Sequence, residues 1–531
     1  MIAEFTAHQE LQLLVLLACA AVLLLLSEPL RVPYPILLVL GGLALGFGPG
    51  VPNIALPPDV VLFGVLPPLV YISAYRTGLR ELRRNVREIS LLALGLVSAT
   101  MVGVAYVAHE VVGLSWTSAF ILGAVVSPTD PTAITSIGAR LGVPRRPLQV
   151  VEGESLVNDG TALVLFKFAV AAAVSGTFSM GNAAADFVWS VVGGVGVGLV
   201  IGHVIRLVRR RLNNPPVEVM IAFLTGYFTY LPATAIGASG VLAVVTAGVY
   251  MGWHTPELTT VETRLQGEGF WTNINFALNA LLFGLVGLQL RPILDHLSGQ
   301  STRELVGFAA AMAGAVMLVR IMWVFPLTYV PRWLFRGIRE RDPSPHWSRP
   351  AFVSWAGMRG AITLAAALGI PLRTHAGAPL PDRDLIIFLA FSVVLGTLVV
   401  QGLTLPLVIR VLGLEEDTAV NAKEEAKARI RAAKAAIARL DELTDEDWVR
   451  ADTAERLRGT YRFRIDRFSE PYKGGDGAVE RQSQDYQRLR RELLEAERRT
   501  VVAMRNQGLI SNDVMRKVER DLDLEDSRLD V

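Results

Sequence analysis

Five charged side chains interrupt long apolar stretches of this sequence: Asp130, Glu154, Asp159, Arg320 and Arg359. A charge in the hydrocarbon core of a membrane is costly unless it is paired, hydrated or neutralised. Ionisable residues at that depth therefore mark ion or proton pathways or buried ion pairs. Each of the five predicts a functional or paired group.

Asp130 lies within SPTDPT (127–132), midway along an apolar segment. Two prolines three residues apart disturb a helix, because each lacks a backbone donor, and here the carbonyl groups of Ala124 and Ser127 lose their partners. Irregular backbone at membrane depth is tolerated where it is buried in protein or lines a cavity. Freed carbonyl oxygens beside a carboxylate and the Thr129 hydroxyl would suit a hard cation. We favour this interpretation over a proline kink that carries an incidental acid.

The next apolar segment opens with EGESLVNDG (152–160). In a helix, Ser155 and Asp159 share one face because they are four residues apart, and Glu154 and Asn158 share the adjacent face. The first face offers a hydroxyl and a carboxylate to an ion. The second offers a carboxylate and an amide to a structural partner.

Arg320 lies in the middle of another apolar segment, and its guanidinium group needs a buried anion because arginine does not deprotonate in proteins. Glu154 is the predicted partner, with Asn158 satisfying the remaining hydrogen bonds. Arg359 lies in GMRGAI (357–362), where the glycines permit a bend or a close helix contact. An arginine near a helix end can also extend to the membrane interface, but we favour a role in the site.

These residues must be positioned by membrane-spanning helices, since spans of about 20 apolar residues cross the hydrocarbon core. The sequence contains thirteen candidates: 11–29, 32–49, 59–76, 89–111, 116–138, 149–173, 186–207, 217–234, 237–253, 269–290, 305–329, 351–371 and 385–410. The boundary between the eighth and ninth is the least certain. The first has no basic flank and no cleavage motif, so we interpret it as a retained helix rather than a signal peptide.

The loops between these spans are asymmetric in charge. With the N-terminus outside, the inside loops carry 19 Lys and Arg residues and the outside loops carry four. This asymmetry agrees with the positive-inside rule and with an odd number of spans. It predicts a multi-pass protein of the cell membrane with a cytoplasmic C-terminus.

Composition divides the chain into a transmembrane domain, 1–414, and a charged tail, 415–531. Residues 1–414 hold 22 of the 49 acidic and 27 of the 51 basic residues, so nearly half of the 117-residue tail is charged. Tail segments such as EEAKARIRAAKAAIARL have helical spacing and predict a regulatory or assembly domain, or a solvated helical tail without a specific role. Cys19 is the single cysteine, which excludes an internal disulfide, and the near-neutral net charge gives no reason to expect a nucleic-acid partner.

Taken together, SPTDPTA, EGESLVNDG and GMRGAI resemble motifs of the sodium/proton antiporters of the NhaP and NHE type. The stretch FWTNINFALNALLFGLVGLQL (270–290) is similar to a further segment of that family, and the resemblance covers 1–414 in order. It implies an all-α membrane fold of thirteen helices with inverted repeats and broken, crossing core helices, followed by a cytoplasmic helical tail. It also implies a homodimer in the lipid bilayer.

The resemblance assigns roles to individual residues. It places sodium at Asp130 and Asp159, with Ser155 and with Thr129, the latter largely through its main chain. It also implies a supporting network near the site, formed by Glu154, Asn158 and Arg320. We add Arg359 to this network because of its position in the sequence. An asparagine before the key aspartate is typical of electroneutral members, so Asn158 with Asp159 implies one cation per proton.

A carboxylate pair explains exchange without a second proton site. Burial disfavours the charged carboxylate while a bound cation favours it, so proton and cation compete. Alternating access then couples the two gradients, and no ATP-binding motif, enzyme activity or cofactor is expected. The alternatives are a cation channel, a potassium-selective antiporter and an ion sensor that does not transport.

Overall fold

The computed structural model describes residues 32–48, 60–175, 180–295, 301–374, 377–414, 418–469 and 478–527, with a few isolated positions between them. The chain divides into two compact units, Met1–Glu416 and Asp417–Val531. Both are helical throughout most of these ranges. The first expected span, 11–29, lies outside the described residues apart from two positions.

The helices of the first unit follow the apolar segments of the sequence. They are α1 (Tyr34–Gly46), α2 (Leu66–Arg76), α3 (Val86–Val112), α4 (Trp116–Val125), α5 (Thr132–Leu141), α6 (Arg145–Ser175), α7 (Met180–Arg209), α8 (Pro215–Ala235), α9 (Gly240–Leu258), α10 (Val261–Leu288), α11 (Thr302–Leu334), α12 (Ser348–Trp355), α13 (Ala361–Leu368) and α14 (Arg383–Val411). The uncertain boundary between the eighth and ninth spans is a turn at Gly237, whose φ of 78° suits glycine. The expected total of thirteen spans stays a prediction.

Two of the expected spans are broken in the middle, which confirms the predicted broken core helices. The α4–α5 break contains Pro128 and Pro131, and the α12–α13 break contains Gly357 and Gly360. The two breaks cross. At the crossing, the Asp130 N–H donates to the Met358 carbonyl oxygen at 2.8 Å. Each unwound segment thus supplies a backbone partner to the other, as buried polar backbone requires.

The helices pack as two bundles. The scaffold bundle, as we call it, comprises α1, α2 and α7–α10, and the ion-site bundle comprises α3–α6 and α11–α14. In the scaffold bundle, α10 lies directly against α1, because any side chain at Gly42 or Gly287 would overlap the backbone of the other helix. The cleft between the two bundles is where a site can be reached from water.

A cluster of ion pairs joins the ends of α3, α6 and α11. Arg332, only 2% exposed, contacts Glu88 at 2.9 Å and Asp342 at 2.5 Å, and Arg146 contacts Asp342 at 3.1 Å. Partial burial would raise the pKa of Asp342, but Arg146 and Arg332 outweigh it and hold that pKa below its usual value. The cluster fixes the helices that carry Glu154 and Arg320.

In the part of the second unit that the structure describes there are four helices, α15 (Thr418–Leu443), α16 (Ala451–Ser469), α17 (Ala478–Asn506) and α18 (Asn512–Ser527). They pair in sequence order, α15 with α16 and α17 with α18. Salt bridges such as Arg458–Asp441, at 2.7 Å, join the partners. The helical spacing in the tail sequence therefore produced helices.

Candidate cation site

Asp130 and Asp159 line one cavity of about 260 Å³ beside the crossing breaks. Asp159 is 6% exposed, and its Oδ1 is buried without a hydrogen-bond partner among the described residues. A buried carboxylate oxygen without a partner is unfavourable unless a proton or a cation satisfies it. Asp159, which lines the cavity, thus has a buried oxygen that requires a ligand.

Asp130 is positioned by the break in which it lies. Its Oδ1 accepts the Thr132 N–H at 2.8 Å, a bond with the spacing of an Asx-turn immediately before α5. Gly360 of the other break lies against this carboxylate, and a side chain at Gly360 would overlap it. The crossing therefore fixes the carboxylate at the cavity wall and leaves Oδ2 available.

Ser155, Asn158 and Thr129 form a connected set of hydrogen bonds. The Ser155 hydroxyl donates to the Thr129 carbonyl oxygen at 2.7 Å, and Asn158 Nδ2 donates to Thr129 Oγ1 at 2.6 Å. The Thr129 hydroxyl lies within 3.5 Å of Glu154 Oε1. The Thr129 side chain thus bonds to the residues predicted to form the supporting network, and Thr129 and Ser155 both line the cavity.

Glu154 and Arg320 form a bidentate salt bridge at 2.5 and 2.7 Å, and each side chain is 1% exposed. The other Arg320 hydrogen bonds go to the carbonyl oxygens of Val353 and Ala356. The expectation that Asn158 would satisfy those bonds is wrong. The broken helix supplies unpaired carbonyl groups closer to the guanidinium, so Arg320 also stabilises the break between α12 and α13.

Arg359 is completely buried and donates to the carbonyl oxygens of Ser127 and Pro128, the latter at 3.0 Å. The backbone N–H of Arg359 donates to the Thr397 hydroxyl oxygen at 3.0 Å. The alternative in which Arg359 extends to the interface is therefore wrong. Arg359, which lies in the α12–α13 break, thus stabilises the α4–α5 break. Arg320 of α11 in turn stabilises the α12–α13 break.

The carbonyl groups freed by the prolines do not serve a cation in the way the sequence suggested. The Ala124 carbonyl accepts the Ser127 N–H at 3.3 Å, and the Ser127 carbonyl accepts from Arg359. The Arg359 guanidinium therefore occupies the carbonyl oxygen that Pro131 frees. The sequence-predicted ion ligands that line the cavity are Asp130, Asp159, Ser155 and Thr129.

Two cavity residues were missed by the sequence reasoning. Asn275 and Asn279 of α10 line the same cavity from the scaffold bundle. Their signal was present, since two amides four residues apart in an apolar helix share one face. The segment had been noted only for its resemblance.

The first comparison is with protein families. Residues 14–411 match the family described as "Sodium/hydrogen exchanger, transmembrane". A protein of Mycobacterium tuberculosis named as an uncharacterized Na+/H+ exchanger is 37% identical over 522 residues, which cover 97% of this chain and 95% of that protein. The Na+/H+ antiporter ApNhaP of Aphanothece halophytica is 34% identical over 73% of this chain and 71% of its own length.

A Bacillus subtilis protein named a sodium, potassium, lithium and rubidium/H+ antiporter is 36% identical over 71% of this chain, and the match spans 58% of that protein. Among solved structures, the sodium proton antiporter MjNhaP1 of Methanocaldococcus jannaschii has the same fold. Its TM-score is 0.58 at 19% identity, over 76% of this chain and 99% of that one. With a family match over most of its length, this chain belongs to the transmembrane sodium/hydrogen exchanger family.

Proposed function

We propose that this protein is a secondary active transporter that exchanges sodium for protons. The observation that carries the proposal is the buried, unpartnered Oδ1 of Asp159, a residue that lines one cavity together with Asp130. Either a proton or a cation satisfies that oxygen, and one site cannot hold both. Competition at a single carboxylate pair is sufficient for exchange when the site is open to each side in turn.

In this proposal the cation is bound by Asp130 and Asp159, with the Ser155 hydroxyl and the Thr129 carbonyl completing the site. Glu154, Asn158, Arg320 and Arg359 hold the crossing breaks in place. We take the exchange to be electroneutral, because Asn158 rather than a second aspartate precedes Asp159 and Glu154 is already paired with Arg320. Arginine keeps its charge and cannot serve as a proton carrier.

The cavity also includes Arg76 at the end of α2 and Glu152 near the start of α6. Both belong to the side that the charge asymmetry of the loops predicts to be cytoplasmic. We therefore assign this arrangement to the inward-open state, with the N-terminus outside and the protein in the cell membrane. A movement of the ion-site bundle along the scaffold bundle would open the other side.

The test is cation-dependent proton flux in proteoliposomes, scanned over sodium, lithium and potassium. Sodium preference supports the proposal as stated, and potassium preference favours a potassium-selective antiporter; the name of the Bacillus subtilis relative includes both ions. A cation channel using the same acids would pass current in a planar bilayer without obligatory proton movement. Such a current would show that the protein conducts cations instead of exchanging them for protons.

Apparent sodium affinity is expected to fall as pH falls, while the maximal rate at saturating sodium changes little. On the acidic limb each pH unit should raise the KM for sodium about tenfold, because one proton displaces one cation. Sodium titrations of proton flux at a series of pH values measure this. A KM that is constant across the acidic range would contradict a shared site.

We assign transport to residues 1–414, and to the tail 415–531 a role in regulation or in assembly of a homodimer. Truncation after Leu414 is therefore expected to preserve sodium–proton competition, while shifting its pH midpoint or weakening dimerisation. Flux measurements and size-exclusion chromatography of the two proteins in detergent check this. A truncated protein that folds but shows no competition would contradict the division.

A further inference from the structure

The part of the cavity lining that belongs to the scaffold bundle carries a pair of amides. Asn275 and Asn279 lie one helical turn apart on α10, and Asn279 is 6% exposed. Asn273, two residues before Asn275 on the same helix, is exposed and does not line the cavity. The helix therefore directs two of these three amides towards the place where the proposed exchange occurs.

The orientation of Asn279 is set by its neighbour. Asn279 Nδ2 donates to the Asn275 backbone carbonyl oxygen at 2.8 Å and to Asn275 Oδ1 at 3.2 Å. A backbone carbonyl cannot donate, so the reversed amide would place two oxygens in contact. With both N–H groups used by Asn275, the polar group that Asn279 can present to the cavity is its Oδ1.

A neutral oxygen is the suitable ligand at this position. A third carboxylate would itself bind protons as well as cations. Its titration would then be superimposed on the competition between proton and cation at Asp159. An amide oxygen can replace one water of the ion's hydration shell without holding the ion tightly, as passage through successive sites requires. Nearer the acids, the Thr129 hydroxyl is already engaged by Asn158.

The two sets of ligands belong to different bundles. Asn279 lies on α10, which packs against α1 in the scaffold bundle, whereas Asp130 and Asp159 belong to the ion-site bundle. When one bundle moves relative to the other, the contact between the ion and α10 must be made and broken. Asn279 can therefore act on entry and release, separately from the carboxylates.

We propose that Asn279, oriented by Asn275, is a neutral cation ligand on the scaffold wall that receives the monovalent cation before it reaches Asp159. In this role it sets the apparent affinity and the preference among sodium, lithium and potassium. The inference rests on the proposed exchange function and adds a residue to it. Asn279 contributes the ligand, and Asn275 is a positioning residue.

The experiment compares wild type with Asn279→Leu, Asn279→Ala, Asn275→Ala and the matched control Asn273→Leu in proteoliposomes. KM and maximal rate are measured for each of the three cations at alkaline pH, where protons compete least. Both Asn279 variants should raise the sodium KM roughly tenfold, the loss of one moderate ligand interaction, with a maximal rate within about twofold of wild type. Asn275→Ala should act in the same direction but less strongly, and the control should match wild type.

A change in the ratio of KM values among the three cations is the readout that a packing defect would not produce. Unchanged KM values in both Asn279 variants would overturn the inference, as would a lower maximal rate at unchanged KM. If Asn279→Leu does not fold, Asn279→Ala and Asn275→Ala decide. Absence of cation-dependent flux in wild type would overturn the proposed exchange and this inference together, whereas active wild type with indifferent variants overturns this inference alone.

Discussion

Asp159→Asn is expected to abolish cation-dependent proton flux while leaving the protein folded and inserted. The amide keeps the shape of the side chain but can neither release a proton nor neutralise a cation. Because Asp159 Oδ1 has no hydrogen-bond partner among the described residues, the substitution breaks no contact seen there. Proton flux in proteoliposomes gives the activity, and size-exclusion chromatography gives the folded fraction.

Asp186→Asn is the matched control, since Asp186 is exposed near the start of α7 and does not line the cavity. It should exchange like wild type. Asp130→Asn should lose most activity, although its amide oxygen can still accept the Thr132 N–H. Normal flux in Asp159→Asn would remove that residue from the site and leave the proposed mechanism without its carboxylate.

The second large effect is expected at the salt bridge between Glu154 and Arg320. Because both side chains are 1% exposed, removing either one leaves an uncompensated buried charge. The penalty for such a loss is about 3–5 kcal/mol, so each single alanine variant should express poorly or unfold at a much lower temperature. The double variant should be less damaged than the sum of the two.

Thermal unfolding of the four proteins in detergent, wild type included, completes the cycle. Arg336 and Glu340 provide the control, because they form an ion pair at 3.2 Å with side chains 83% and 67% exposed. Alanine at either of those positions should change the unfolding temperature little, as is usual for surface pairs. Strict additivity at Glu154 and Arg320 would mean that the two charges are not energetically coupled.

Arg320 and Arg359 explain how unwound backbone persists at the centre of the ion-site bundle. Arg320 binds carbonyl groups at the α12–α13 break, and Arg359 binds those of the α4–α5 break. Each guanidinium satisfies carbonyl groups at or beside a stretch of unwound backbone. Of the oxygens proposed for the cation, those of Asp130, Asp159 and Ser155 belong to side chains, and that of Thr129 belongs to the main chain.

The amino-acid sequence by itself determined the class of protein and the location of its disturbed helices. Apolar segment length identified spans, and Pro128 and Pro131 identified a break, because both depend on local backbone chemistry. It also indicated which charges needed partners. A buried arginine must have an anion, and few anions lie at comparable depth, so Glu154 could be named as the partner of Arg320 although 166 residues separate them.

Only the tertiary structure decided where the freed carbonyl groups find their donors. The Ser127 carbonyl, which Pro131 frees, accepts from Arg359, 232 residues away, and spacing within one helix carries no information about such a contact. The same holds for the part of the cavity lining that belongs to the scaffold bundle, since α10 reaches the cavity through its packing on α1 at Gly42 and Gly287. Local sequence sets which groups lack partners, and the packing of distant helices sets which oxygens are left for the cation.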